Sequence, residues 1–299
     1  MSFKLGYIGF GEAAYNMGKG LKGEGLKDIS AFDVALNLGG ALKDTFLDRC
    51  KDADVAVANS AEEIVNKCDV VVICVPAKFT ASTAEGLLPY VKNGQLVVDV
   101  TTALPPIKEK EAGLFAQKGA QYVDSAMLGS LAAMKHKVPM LASGEGAERW
   151  KSLMDPYATK ITLVGEGSKA GDASRIKLVR SVYMKGLEAL IVESFLFARK
   201  CGIEDYIMKS VGNTMDKDAF CEIAARLSGA DLVHAERRAF EVGEAMELMK
   251  EVGVEPLVTE GVKARLSSTA ALGLNKELGG VAPKKMAEVY KYWDEKKYR

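Results

Sequence analysis

Lys177 lies in the stretch ASRIKLVRSVYMKGLEALIVESFLFARK (173–200), with Ile176, Leu178, Val179 and Val182 around it. Burial of a lysine disfavours its charged form and brings the amine toward neutrality, which suits it to take up and release a proton. At helical spacing Lys177, Ser181 and Lys185 share one face, with Arg180 and Met184 beside them. A polar stripe on a buried helix is costly unless it lines a cleft, or unless its long cations reach solvent at their tips. On these residues alone Lys177 is a general acid/base or half of a surface ion pair, and Ser181 a substrate contact or a solvated hydroxyl. A second cluster, VHAERRAFE (233–241), puts His234, Arg237 and Arg238 on adjacent turns. Together they could hold a carboxylate, because arginine binds one bidentately. The competing role is a solvated face with Glu236 and Glu241 as ion partners.

The other chemistry-bearing stretch is KLGYIGFGEAAYNMGKGLKGEG (4–25). Gly9-x-Gly11-x-x-Ala14 follows a strand-like run and opens a helical pattern. A helix start carries unpaired N–H groups and a positive dipole end, and a pyrophosphate sits there only if no side chain intervenes. The backbone of Gly9, Phe10, Gly11, Glu12 and Ala13 is therefore the candidate cofactor cradle. The alternative is an ordinary strand-to-helix turn. Asp33 ends the next strand-like run at the spacing of a ribose-binding carboxylate. It would bond the ribose hydroxyls and repel a 2′-phosphate, which favours NAD without excluding NADP. Its competing role is a helix cap. Val75-Pro76 ends one strand-like run and Thr101-Thr102 follows another, and ligands of doubly wound sheets sit beyond the carboxyl ends of strands. Val75, Pro76 and Thr101 are read as cofactor contacts and Thr102 as a substrate contact or a helix cap. Gly129 is read as a point of close approach or a turn glycine. Cys74 reads as inert core, and His136 as loop surface.

These residues need a frame, and the first half supplies one. Its strand-like runs are 5–10, 29–33, 55–58, 70–75, 96–100, 120–124, 138–142 and 161–165, with helical patterns in most gaps. Ser60 with Glu63 forms a capping box, and Pro105-Pro106 marks a helix start. Such alternation indicates βαβ units and a parallel sheet. After Gly165 the strand-like runs stop. The stretch 173–200 is one long helical pattern, apolar nearly all round from Leu187, which predicts burial, with Gly202 as its C-cap. Further helices are expected over 203–213, 216–228, 230–252 and 256–274. The expected architecture is an α/β Rossmann domain over 1–165, then an all-α domain over 166–299, joined by the long helix.

The 299 residues carry 40 cationic and 40 anionic side chains, which argues against a basic nucleic-acid surface or an anionic-membrane binder. Five cysteines without paired spacing read as reduced thiols of a cytoplasmic protein. Two histidines cannot build a His-rich metal site, so no metal is expected. The first residues do not form a signal peptide, and no stretch is long enough to span a bilayer. Long paired helices often associate between chains, so a homodimer or dimer of dimers is expected.

The motifs IGFGEAAYNMGKGL, VVVICVP, VDVTTALPP, VDSAMLGS and GDASRIKLVRS, in that order, resemble the β-hydroxyacid dehydrogenase family, which includes 3-hydroxyisobutyrate and 6-phosphogluconate dehydrogenases. The resemblance is nearest to a phosphogluconate-dehydrogenase-like branch. It implies a Rossmann domain, a helical domain, and a lysine on the linking helix that faces the nicotinamide. That family's helix motif falls on Gly171, Ala173, Lys177 and Ser181, and its substrate loop on Asp124 to Ser130. Ser181 stands where the family has asparagine, and Leu128 where it has serine, although Ser130 could supply a hydroxyl. The position of the 6-phosphogluconate branch's glutamate acid is Met184. The implied activity is hydride transfer between NAD and a small carboxylate-bearing β-hydroxy acid, or a related hydroxy or carbonyl compound. Lys177 would be the general acid/base, with Thr102, Gly129, Ser130, Ser181, His234 and Arg237 as substrate contacts. An imine reductase on the same scaffold, or a non-catalytic dinucleotide-binding protein, are the alternatives.

Overall fold

All eight strand-like runs form strands in the computed structural model, which describes residues 3–295. They are β1 (Leu5–Ile8), β2 (Ile29–Phe32), β3 (Ala56–Val57), β4 (Val70–Ile73), β5 (Leu96–Asp99), β6 (Gln121–Met127), β7 (Pro139–Ser143) and β8 (Lys160–Leu163). The sheet order is β3-β2-β1-β4-β5-β6-β7-β8. Neighbours run parallel except β6 and β7. Strand order reverses between β1 and β4, where open α/β sheets bind ligands. The register pairs Ile8 with Phe32 on one side and Ile73 on the other, so the residues that follow emerge together at one edge.

Strands covered on both faces read as continuous apolar runs. In β4, Val70 and Val72 enter one core, and Val71 and Ile73 the other. Leu96 and Val98 of β5 join the first, Val97 the second. Helix α1 (Glu12–Gly23) buries Ala14, Met17 and Leu21 in the first core, and α2 (Gly40–Asp52) adds Phe46. On the other face lie α3 (Ala61–Lys67), α4 (Thr80–Leu87) and α5 (Pro105–Ala116), through Ile64, Leu87 and Phe115. Helix α6 (Ala147–Met154) returns to the first face with Trp150. The capping box forms in a shifted version: Ser60 Oγ accepts from the Glu63 N–H, while the Glu63 carboxylate accepts from the Asn59 N–H.

Contacts group Met1–Ser181 as one unit and Val182–Arg299 as another, so the first turns of helix α7 (Asp172–Cys201) belong with the sheet. Gly202 ends α7 at φ +72°, and the Ile203 N–H bonds back to the Ala198 carbonyl. The second unit continues with α8 (Glu204–Met215), α9 (Phe220–Glu251), α10 (Leu257–Ala270) and α11 (Met286–Glu295).

Two expectations for this half are corrected. The helices expected over 216–228 and 230–252 are one helix, α9. Gly229 lies inside it because a Cβ there would stand 2.0 Å from the Pro283 carbonyl oxygen. The helix expected to be buried beyond Leu187 is largely open: Ile191 is 48 % exposed and Val192 63 %. This unit's buried core is small, centred on Leu232, Leu274 and Val289. Glu193 of α7 is an exception to the open surface. Its carboxylate accepts from the Val258 and Thr259 N–H groups and the Thr259 hydroxyl, which caps α10.

Candidate active site

The turn after β1 needs Gly9. Its φ is +86°, and a Cβ would stand 2.5 Å from the Cys74 carbonyl oxygen. Gly11 is required by nothing in the chain itself: its φ is −69°, and a Cβ there would meet nothing within 4 Å. The bare backbone at Gly11 thus faces open space at the start of α1. That is the cradle a pyrophosphate requires. Ala14 is fully buried where α1 packs on the sheet. Phe10 buries its ring, which leaves its backbone as the group nearest the turn. Glu12 and Ala13 begin the helix.

Asp33 follows β2 and holds the turn from the side. Its Oδ2 accepts from the Phe10 N–H at 2.7 Å and its Oδ1 from the Ala35 N–H at 2.9 Å. The cap-like bond to Ala35 therefore coexists with the link to the glycine turn, and each oxygen keeps a free lone pair for a hydroxyl. A cavity of ≈ 620 Å³ lies here, lined by Gly9, Gly11, Asp33, Val34, Val75 and Pro76 among others. Its walls are mostly apolar, and Asp33 is the only charged residue among the described lining. An adenosine suits such walls, and a 2′-phosphate would meet a carboxylate without a compensating cation. Cys74 also lines the cavity; burial, then the charge of Asp99, push its thiol up to about 12, which disfavours the thiolate.

Lys177 is half-buried on α7, and its Nζ donates to Thr102 Oγ1 at 2.8 Å. Thr102 follows β5 at the same sheet edge as the glycine turn. Thr102 is not the cap of α5, whose N-cap is Leu104. Thr101 is buried. Its hydroxyl oxygen accepts from Thr80 Oγ1 at 2.9 Å and Lys108 Nζ at 3.2 Å. Thr101 thus reaches away from the cavity lining and into a charge cluster that sequence reasoning missed.

That cluster is built from Lys108, Asp99, Asp124, Glu111 and Tyr122, each nearly or wholly buried. Lys108 Nζ lies 2.7 Å from Asp99 Oδ2 and 3.6 Å from Asp124 Oδ1. The Tyr122 hydroxyl lies 2.7 Å from Glu111 Oε2 and 3.0 Å from Asp99 Oδ2. Burial, then the neighbouring Asp99 charge, push the Glu111 carboxyl well above the usual carboxylate range. The sequence signal was a charged residue closing the apolar run LVVD, together with Lys108 and Glu111 one turn apart on the following helix.

The remaining candidates fall as follows. Ser130 caps a single helical turn, Leu131–Met134, and accepts from the Ala133 N–H. Gly129 is exposed, and a Cβ there would stand 3.3 Å from both Met134 Sδ and Val138 Cγ2. Ser181 closes the first unit on α7, one turn after Lys177. His234 and Arg237 lie on α9 of the second unit, where the exposed Arg237 pairs with Glu241. His136 is not on the loop surface. It is 5 % exposed, because its ring lies on the bare backbone of Gly20 and its Nε2 lies 3.2 Å from Glu24. Burial, despite the Glu24 partner, holds it below the usual histidine range. Among the described residues no group of metal-ligating side chains converges, and no helix is long and apolar enough to cross a membrane.

A glycine turn at the switch point of a parallel sheet, with an acidic residue after β2, defines a Rossmann-type dinucleotide-binding domain. Residues 4–165 match the NAD binding domain of 6-phosphogluconate dehydrogenase, and the chain belongs to that family. Residues 198–269 match a domain of unknown function. The 2-(hydroxymethyl)glutarate dehydrogenase of Eubacterium barkeri is 25 % identical, over 98 % of this chain and 96 % of its own. A solved conserved protein of unknown function, described as similar to 3-hydroxyacid dehydrogenases, is 26 % identical with TM-score 0.60, over 90 % of this chain and 98 % of its own. A Myxococcus stipitatus imine reductase variant in complex with NAD+ shares the fold at TM-score 0.74 and 16 % identity, over 98 % of this chain and 99 % of its own. The cofactor is NAD(P), and the chain is of the oxidoreductase class with a fold shared by hydroxyacid dehydrogenases and imine reductases.

Proposed function

We propose that the protein transfers a hydride between NAD(P) and a small β-hydroxy acid or its carbonyl counterpart, with Lys177 as the general acid/base. The observation that carries this reading is the 2.8 Å contact between Lys177 Nζ and Thr102 Oγ1 at the carboxyl edge of the sheet that bears the glycine turn. Bound NAD(P) supplies the hydride acceptor or donor. The backbone of Gly9, Phe10, Gly11, Glu12 and Ala13 would hold its pyrophosphate, and Val75 and Pro76 would edge it. Asp33 would take the ribose hydroxyls, which favours NAD over NADP. Removing a hydride from an alcohol carbon requires loss of the hydroxyl proton to a group within hydrogen-bond reach. Lys177 accepts that proton, and in reduction returns it to the carbonyl oxygen. Thr102, already bonded to the amine, would fix its direction and share the substrate oxygen. Gly129, Ser130 and Ser181 are the further candidates for substrate contact within the first unit.

The exposed apolar residues of α7 and α8, including Val182, Val192, Tyr206 and Met208, fit a homodimer in which a second copy covers them. The free cysteines fit a reducing, cytoplasmic setting. The test is a panel of 3-hydroxyisobutyrate, 2-(hydroxymethyl)glutarate and other hydroxy acids with NAD+ and NADP+, and a cyclic imine with the reduced cofactors. Turnover of a carboxylate-bearing hydroxy acid with NAD+ is the expected result. Turnover confined to the imine would replace this reading with the imine reductase. NADH binding without turnover of any compound would leave the non-catalytic binder.

A further inference from the structure

The Lys177–Thr102 contact has two ends, and each is tied to a buried carboxylate. On the strand side, Asp99 closes β5, and its Oδ1 accepts from the Thr101 N–H at 2.8 Å. This fixes the turn that presents Thr102. On the helix side, Asp124 of β6 reaches the start of α7. Its Oδ2 accepts from the Gly171 N–H at 3.2 Å and the Ser174 N–H at 2.8 Å, and its Oδ1 from the Ser174 hydroxyl at 2.7 Å. Ser174 precedes Lys177 by three residues, so Asp124 grips the face of α7 that carries the amine. The positive helix end favours an anion at that position.

Two carboxylates on neighbouring strands, both wholly buried, would repel each other and pay heavily for lost hydration if nothing balanced them. Lys108 balances both. It also donates to Thr101 Oγ1 at 3.2 Å and to the Asp99 carbonyl at 3.3 Å. Tyr122 and Glu111 complete the shell on the Asp99 side. Lys108 is absent from the cavity lining, so its cation serves no ligand there.

We propose that Lys108 is a positioning residue for Lys177: by joining Asp99 to Asp124 it holds the Thr101–Thr102 turn and the first turn of α7 in one register, and so sets the bond between Thr102 and the lysine amine. The proposal deepens the reading of Lys177 as the proton-carrying group and rests on it for its catalytic meaning, while the juxtaposition of amine and hydroxyl is independent of that reading.

The test reads Lys177 directly and needs no substrate. Intact protein is labelled with trace acetic anhydride across a range of pH, and acetylation of the Lys177 peptide is followed by mass spectrometry. Thr102→Val removes the acceptor. It is expected to raise the labelling rate near neutral pH about three- to tenfold, the size of one lost hydrogen bond, because the ammonium form loses a partner. Lys108→Met is expected to give the same change. Should Lys108→Met fail to fold, Lys108→Met/Asp99→Asn removes one charge of each sign and keeps an acceptor for the Thr101 N–H. Combining either change with Thr102→Val should add nothing, since the same bond is already lost. NADH affinity should stay within about threefold throughout, because the cradle at Gly11 is untouched. The proposal is overturned if the Lys108 variants label like wild type while Thr102→Val does not, if Thr102→Val itself changes nothing, or if the effects add. Catalytic failure of Lys177 would leave these labelling results unchanged, so the two ideas fail separately.

Discussion

Gly9 and Gly11 sit two residues apart, yet alanine should act oppositely at the two. At Gly9 the φ of +86° costs an L-residue about 1–2 kcal/mol. The new Cβ would also stand 2.5 Å from a backbone oxygen and 2.8 Å from Val75 Cγ1. Backbone cannot rotate aside, so a further overpacking cost of about 1–3 kcal/mol applies. Gly9→Ala should therefore lose about 2–5 kcal/mol, a fall in Tm on the order of 10 °C for a unit of this size. At Gly11 the φ of −69° suits alanine and no atom lies within 4 Å. Stability should hold, or rise by about 0.4–1 kcal/mol through the stiffer unfolded chain. Binding should suffer instead, because the methyl occupies the approach to the helix N–H groups. A loss of about 1.4–3 kcal/mol raises the Kd for NADH about ten- to a hundredfold. Thermal unfolding and NADH fluorescence titration on the same preparations measure both quantities. A Gly11→Ala protein that melts early, or binds NADH like wild type, would refute the reasoning.

Other outcomes follow from the same structure. Asp33→Asn keeps an acceptor for one backbone N–H but removes the charge, so the NADPH-to-NADH affinity ratio should rise about tenfold, measured by the same titration. Glu193→Gln should destabilise the second unit by about 1–3 kcal/mol in urea unfolding, because a charged acceptor of the α10 N–H groups is lost. Burial alone would raise the Glu193 carboxyl, but the bonds from Thr259 and Val258 outweigh it and hold it low. Its contribution is therefore complete above about pH 4.3 and fades as pH falls through the lowered value, and the variant should lack this acid-limb loss. Glu111 behaves oppositely. Its raised value means that the native state keeps a proton the unfolded chain gives up, so stability should fall as pH rises above about 4.3. Glu111→Gln should flatten that slope, which is at most about 1.4 kcal/mol per pH unit. Sedimentation at micromolar protein should give a dimer or larger, and a monomer would leave the apolar face of α7 without its proposed cover.

The centre of the sheet was legible because β1, β4 and β5 are covered on both faces. Runs such as VVVI and LVV have no polar side to obscure them, Gly9 is demanded by the turn geometry, and Asp33 follows at the spacing that ties the end of β2 to that turn. The second half misled for identifiable reasons. The two helices expected over 216–228 and 230–252 are one because Gly229 is a packing residue, and the sequence does not reveal that Pro283 will press against it. The apolar surface of α7 looked like core because periodicity reports that a face is apolar, without saying whether this chain covers it. His136 reads as a loop residue until Gly20, more than a hundred positions earlier, is seen to make room for its ring. The Lys108 cluster draws on β5, β6 and α5, whose residues meet only through sheet register. Lys177 was found from its neighbours and motif, whereas its bond to Thr102 required coordinates.

Turnover of Lys177→Met, on whichever hydroxy acid the panel identifies, bears most directly on the central claim. NADH should bind within about threefold of wild type, since the cradle is intact, while kcat falls about 10²–10⁴-fold, the usual worth of a general acid/base. An unaltered kcat with that substrate would remove Lys177 from the chemistry.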